Sequence, residues 1–117
     1  MTPNETAKAA AAALESKNAQ DLKILEVGDL TVLADYFILA TATSNTHMKT
    51  LCGECEFILK QKGAPPRHIE STPTWTLLDF GSVVVHVFLQ ETRAFYSLER
   101  LWSDAKVIDN EQLKIDN

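Results

Sequence analysis

The stretch WTLLDFGSVVVHVFLQETRAFYSLERLW, residues 75–102, decides how the chain is read. Residues 75–80 and 83–89 are rich in β-branched and aromatic side chains, and Gly81-Ser82 between them reads as a two-residue hairpin turn. With that turn Phe80 pairs with Val83, Leu78 with Val85 and Thr76 with Val87, all on one apolar face suited to meeting helices. The opposite face collects Trp75, Leu77, Asp79, Val84, His86 and Phe88. A four-residue turn keeps this partition and a three-residue turn breaks it. Trp, Phe, His and Asp mixed on one face make a poor interior. They look more like an interface core, in which aromatic anchors sit among a few polar groups. The competing reading has a further helix covering this face, with His86 a satisfied half-buried histidine. After the hairpin, Thr92 can cap a helix whose stripe is Phe95, Leu98, Leu101 and Trp102.

Working back from the hairpin, Arg67 to Ser71 reads as a short polar edge strand that enters a loop at Thr72-Pro73-Thr74. Before it, Met48, Leu51, Cys52, Cys55, Ile58 and Leu59 recur at helical steps. Ser44 or Thr43 is placed to cap this helix, Gly63 to end it, and Pro65-Pro66 forbids its continuation. Residues 35–41, DYFILAT, are apolar after the first, as in a central strand covered on both faces. Residues 21–27 form a strand with one well-marked face, followed by a Gly28-Asp29 turn. Thr2-Pro3 opens an alanine-rich helix with high propensity and little bulk. The order is α-β-β-α-β-β-β-α. It predicts an α/β single domain, a mixed β-sheet of about five strands with flanking helices, over residues 1–105, with residues 106–117 a polar C-terminal tail.

Composition narrows the function. At 117 residues the chain is the size of one domain, and 45% hydrophobic with 23% charged residues is ordinary for a globular protein. Sixteen acidic against eleven basic residues give a net charge of −5, with Lys and Arg scattered. An electrostatic grip on nucleic acid needs clustered cations, so direct sequence-specific nucleic-acid binding is not expected, and a basic protein is the better partner. The opening residues lack the pattern of a signal peptide, and no apolar run reaches the ~18 residues of a membrane span. The expectation is a cytoplasmic protein without a membrane partner.

Three chemical readings compete with packing. Cys52-x-x-Cys55 suggests redox or zinc chemistry, but the pair lies two turns into a helix on its apolar stripe and needs further ligands from His47, His68 or His86. Asp35, Glu70 and Asp79 adjoin strands but show no metal or acid–base spacing. Ser44 lacks the nucleophile elbow, and no glycine-rich phosphate loop exists. No catalytic residue, metal or cofactor is expected.

Several segments together resemble the Iojap-like ribosomal silencing factors. They are DYFILAT at 35–41, Ser44, Glu70, W-x-L-L-D-x-G at 75–81, VVVHVF at 83–88 and R-x-F-Y-x-L-E-R-L-W at 93–102. The likeness spans roughly residues 4–105. The chain departs from the family where Glu70-Ser71 replaces Glu-Gly, where the loop before Trp75 is shorter, and where Thr41-Ala42-Thr43-Ser44 replaces Thr-Gly-x-Ser.

The resemblance implies a non-enzymatic protein with a nucleotidyltransferase-like mixed sheet. It implies binding to large-subunit ribosomal protein fourteen, so that the large ribosomal subunit cannot join the small one and translation falls under nutrient limitation. Homodimer formation is implied as well. By position it points to Trp75, Asp79 and His86 on the hairpin and Tyr96 and Glu99 on the last helix, with Leu77 and Phe88 sharing the hairpin face, as partner-binding residues. The alternatives are a nucleotide-binding or nucleotidyltransferase-like module, and a dimerisation module with no ribosomal role.

Overall fold

The computed structural model describes residues 1–92 and 106–108. Helix α1 covers Pro3–Ser16. Its start is a full capping box, because the Thr2 hydroxyl accepts from the Glu5 N–H at 3.0 Å while the Glu5 carboxylate accepts from the Thr2 N–H at 2.9 Å. Those same bonds to Thr2 hold the Glu5 carboxyl below its ordinary pKa. Strand β1 (Gln20–Glu26) and strand β2 (Tyr36–Ala42) follow, then helix α2 (Asn45–Gln61). Ser44 caps α2 as expected, accepting from the His47 N–H at 3.0 Å, and Gly63 takes the left-handed conformation beyond its end. Strands β3 (His68–Ser71), β4 (Trp75–Asp79) and β5 (Val83–Leu89) complete the run through the hairpin.

The sheet order is β3-β4-β5-β2-β1, continued at the β1 edge by a sixth strand, β6 (Lys106–Ile108). Among the described strands only β2 and β5 are parallel, so the sheet is mixed, as the strand–helix–strand unit predicts. β6 corrects the expectation that residues 106–117 are a tail lying outside the domain. Ile108 pairs with Ile24, Val107 with Leu25 and Lys106 with Glu26. Three residues are too short to show alternation in sequence, and it is the free edge of β1 that makes them a strand. A second correction concerns Thr92. Residues 90–92 are already helical, so the helix starts two residues before its supposed cap. The stripe of Phe95, Leu98, Leu101 and Trp102 lies outside the described residues.

Helices α1 and α2 lie on one face of the sheet. Ala7, Ala10, Ala11 and Leu14 of α1 and Leu51, Cys55 and Leu59 of α2 are fully buried against Ile38, Ala40, Leu78, Val83, Val85 and Val87. The small alanines let α1 seat closely. His47 joins the two helices: its Nδ1 accepts from the Thr43 N–H at 2.9 Å, so Nε2 carries the proton and donates to the Lys17 carbonyl at 2.8 Å. The other face carries a second cluster of Leu25, Val27, Ala34, Phe37, Leu39 and Phe88, packed against Trp75 and Val84. β1 therefore feeds both layers, Ile24 one and Leu25 the other, where its sequence marks a single face.

Candidate functional site

The hairpin adopts the register read from its sequence. Leu78 faces Val85, Thr76 faces Val87, and the Phe80 N–H donates to the Val83 carbonyl at 2.9 Å. Gly81 sits at φ +90°, and a Cβ there would stand 3.0 Å from the Arg67 guanidinium. The second face carries three cross-strand rows, Trp75–Phe88–Thr41, Leu77–His86–Leu39 and Asp79–Val84–Phe37. Face and exposure then separate. β4 lies near the sheet edge and leaves Trp75, Leu77 and Asp79 half-buried, whereas β5 lies between β4 and β2. Phe88 has no exposed surface and His86 is 7% exposed.

His86 is enclosed by rings. Phe37 meets it edge-on at 5.5 Å, and Phe88 is stacked with it at 5.9 Å. The Trp75 indole N–H donates to His86 Nδ1 at 3.3 Å, which places the imidazole proton on Nε2. Nε2 has no hydrogen-bond partner among the described residues. Burial pushes the His86 pKa down to about 4, so the ring is neutral near pH 7. His86 and Phe88 thus lie beneath Trp75, whose ring centroid is 5.0 Å from that of Phe88, and they correct the expectation that they offer surface to a partner. The physical reason is packing: alternation assigns a face, and the side chains packed over it, Trp75 and Phe37 among them, decide what that face uncovers. Asp79 has a local task as well, since its Oδ1 accepts from the Gly81 N–H at 2.7 Å and shapes the turn. Tyr96 and Glu99 lie outside the described residues.

Beside Trp75 the short β3–β4 loop is closed by the Thr72 N–H, which donates to the Trp75 carbonyl at 2.9 Å, and by the Thr72 hydroxyl. Thr72 Oγ1 accepts from the Trp75 N–H at 3.1 Å and the Thr74 N–H at 3.4 Å, and donates to the Trp75 carbonyl at 3.1 Å. The Asn45 side-chain amide donates to the Pro73 carbonyl, tying this loop to the start of α2. Glu70, Thr72, Trp75 and Leu77 line a pocket of about 190 Å³. Sequence reasoning placed Glu70 on a solvated edge and missed the pocket. The one available signal was the period-two spacing of Trp75 and Leu77 opposite Glu70.

The cysteines pack as expected. Cys55 is fully buried and its thiol pKa is raised by that burial, while burial lifts Cys52 to about 11, so neither is a ready thiolate. Asp35 lines a separate depression with Asn4, Glu26 and Asp29. Among the described residues no three His, Cys, Asp or Glu side chains stand together as metal ligands, and no helix is long and apolar enough to cross a membrane.

The sequence profile described as "Ribosomal silencing factor during starvation" matches residues 1–117. The chain belongs to the ribosomal silencing factor family. The ribosomal silencing factor of Bacillus subtilis is 33% identical over 111 residues, covering 93% of this chain and 94% of its own length. The chloroplastic Iojap protein of Zea mays is 39% identical over 101 residues, 86% of this chain and 44% of the maize protein. A crystal structure of a protein from Chromobacterium violaceum superposes with a TM-score of 0.85 at 36% identity, covering 88% of each chain. Family membership gives this silencing factor a role in ribosome silencing and agrees with the six-stranded mixed sheet in which the hairpin sits.

Proposed function

We propose that the chain silences ribosomes by occupancy: it docks on large-subunit ribosomal protein fourteen and sterically prevents the large subunit from joining the small one. In this reading it performs no catalysis, works in the cytoplasm and lowers translation under nutrient limitation. The observation that carries it is the half-exposed Trp75 beside Leu77, held in one orientation by its bond to buried His86. A large aromatic fixed before binding loses little entropy on docking, which is how a few anchors come to dominate an interface. The net charge of −5 favours capture of a basic protein. Asp79 stands on the same face, and Tyr96 and Glu99 of the following segment belong to the same proposed contact. The family's homodimer is retained as a second association.

The test is co-sedimentation of the chain with purified large subunits, followed by light scattering as small subunits are added. The proposal expects the chain in the large-subunit pellet and a dose-dependent loss of joined ribosomes. Joining that proceeds normally with the chain bound would sink the occupancy mechanism.

A further inference from the structure

We propose that the pocket bounded by Glu70, Thr72, Trp75 and Leu77 is a socket for one arginine side chain of the basic ribosomal protein, an inference that rests on the docking reading above. At about 190 Å³ the pocket is smaller than the ~300–1,000 Å³ typical of small-molecule sites and suits a single long side chain. Two of its walls, Trp75 and Leu77, are apolar, matching an aliphatic stem.

Its polar groups are unequal. The Thr72 hydroxyl is consumed by three bonds within its own loop, and the neighbouring Ser71 hydroxyl shares a hydrogen bond with Thr76 at 3.0 Å. Recognition of a charge therefore falls on Glu70. Its side chain is 70% exposed and, among the described residues, meets only His68 Nε2, at 3.1 Å, in a pair whose histidine is itself 58% exposed. Such a solvated pair is weak and readily exchanged for a better cation.

A guanidinium is that better cation. It is planar, lies against an indole, and can present two N–H donors to one carboxylate, whereas an ammonium is a more strongly hydrated point charge. The socket is also set before binding, because Asn45 and Thr72 fix the loop that carries its rim.

The experiment titrates purified large subunits, and separately the isolated ribosomal protein, with the unaltered chain and with Glu70→Gln, Glu70→Lys, His68→Ala and Trp75→Ala. Glu70 and His68 are exposed, so their variants are expected to fold, and circular dichroism checks this. Glu70→Gln should weaken binding about tenfold and Glu70→Lys about a hundredfold, with shallower salt dependence in both. His68→Ala should leave affinity unchanged or raised, since it removes a competitor for Glu70. An Arg→Gln scan of the ribosomal protein should find one arginine whose loss is non-additive with Glu70→Gln. If both Glu70 variants bind within about twofold of the unaltered chain while Trp75→Ala loses binding, the socket is wrong and the docking reading stands. A lysine coupled to Glu70 in place of an arginine would also overturn it. If the unaltered chain binds neither target, both proposals fall.

Discussion

At the scale of the residue, Trp75 and His86 divide one task. Trp75 offers partly exposed aromatic surface, and His86, enclosed by Phe37 and Phe88, accepts its indole N–H and holds it in place. Trp75→Ala should therefore cost about 2 kcal/mol or more in affinity for large subunits, measured by equilibrium titration of a folded variant. Unchanged affinity would remove Trp75 from the contact. His86 makes a different forecast. Its pKa falls from the ordinary 6.5 in the unfolded chain to about 4 in the folded one, because burial opposes its charge. The unfolded chain takes up this proton first as the medium is acidified. Stability is therefore complete above pH 6.5 and is lost as pH falls towards 4, by up to about 3 kcal/mol. Urea unfolding of the unaltered chain and His86→Phe at a series of pH values measures this component. Parallel profiles for the two would exclude His86 as its source.

Among the elements, the hairpin of β4 and β5 was almost fully legible. Period-two alternation with Gly81-Ser82 as the turn gave both faces and the pairing of Leu78 with Val85. Exposure within a face was not legible, because it depends on which distant side chains pack over it. Phe88 is buried in the layer of Leu25, Val27, Ala34, Phe37 and Leu39, and nothing local to Phe88 encodes those neighbours. The segment before Trp75 reads only as a loop at Thr72-Pro73-Thr74, since a hydroxyl that closes a turn looks in sequence like any other threonine. β6 was missed for want of length. Its pairing with Ile24, Leu25 and Glu26 gives a clear expectation: deleting residues 106–117 should lower stability by on the order of 1–2 kcal/mol. A chemical-denaturation midpoint that does not move would restore the tail to the status its polarity suggested.

For the whole molecule, α1 and α2 occupy one side of the sheet, and the proposed contact belongs to the other, beside the β3–β4 edge. Binding and core packing on the helix side can thus change independently. The net charge of −5 acts over the same scale. Association with the isolated basic ribosomal protein should slow by about tenfold or more as ionic strength rises from 0.01 to 0.15 M, because the screening length shrinks from about 30 to 8 Å. Stopped-flow tryptophan fluorescence reads this rate, and a salt-independent rate would exclude electrostatic steering.

The parallel pairing of β2 with β5 has a consequence for how the chain is made. Residues 36–42 find their central neighbour only when residues 83–89 have been synthesised, so the middle of the sheet cannot close as its first half leaves the exit tunnel. Until then the β1–β2 pair and both helices can form locally, with Ile38, Ala40 and Leu39 lacking one flank. The arrival of VVVHVFL then completes both apolar layers in a single event, and with them the seat of Trp75. A nascent silencing factor thus acquires its docking surface only once residues 83–89 have emerged.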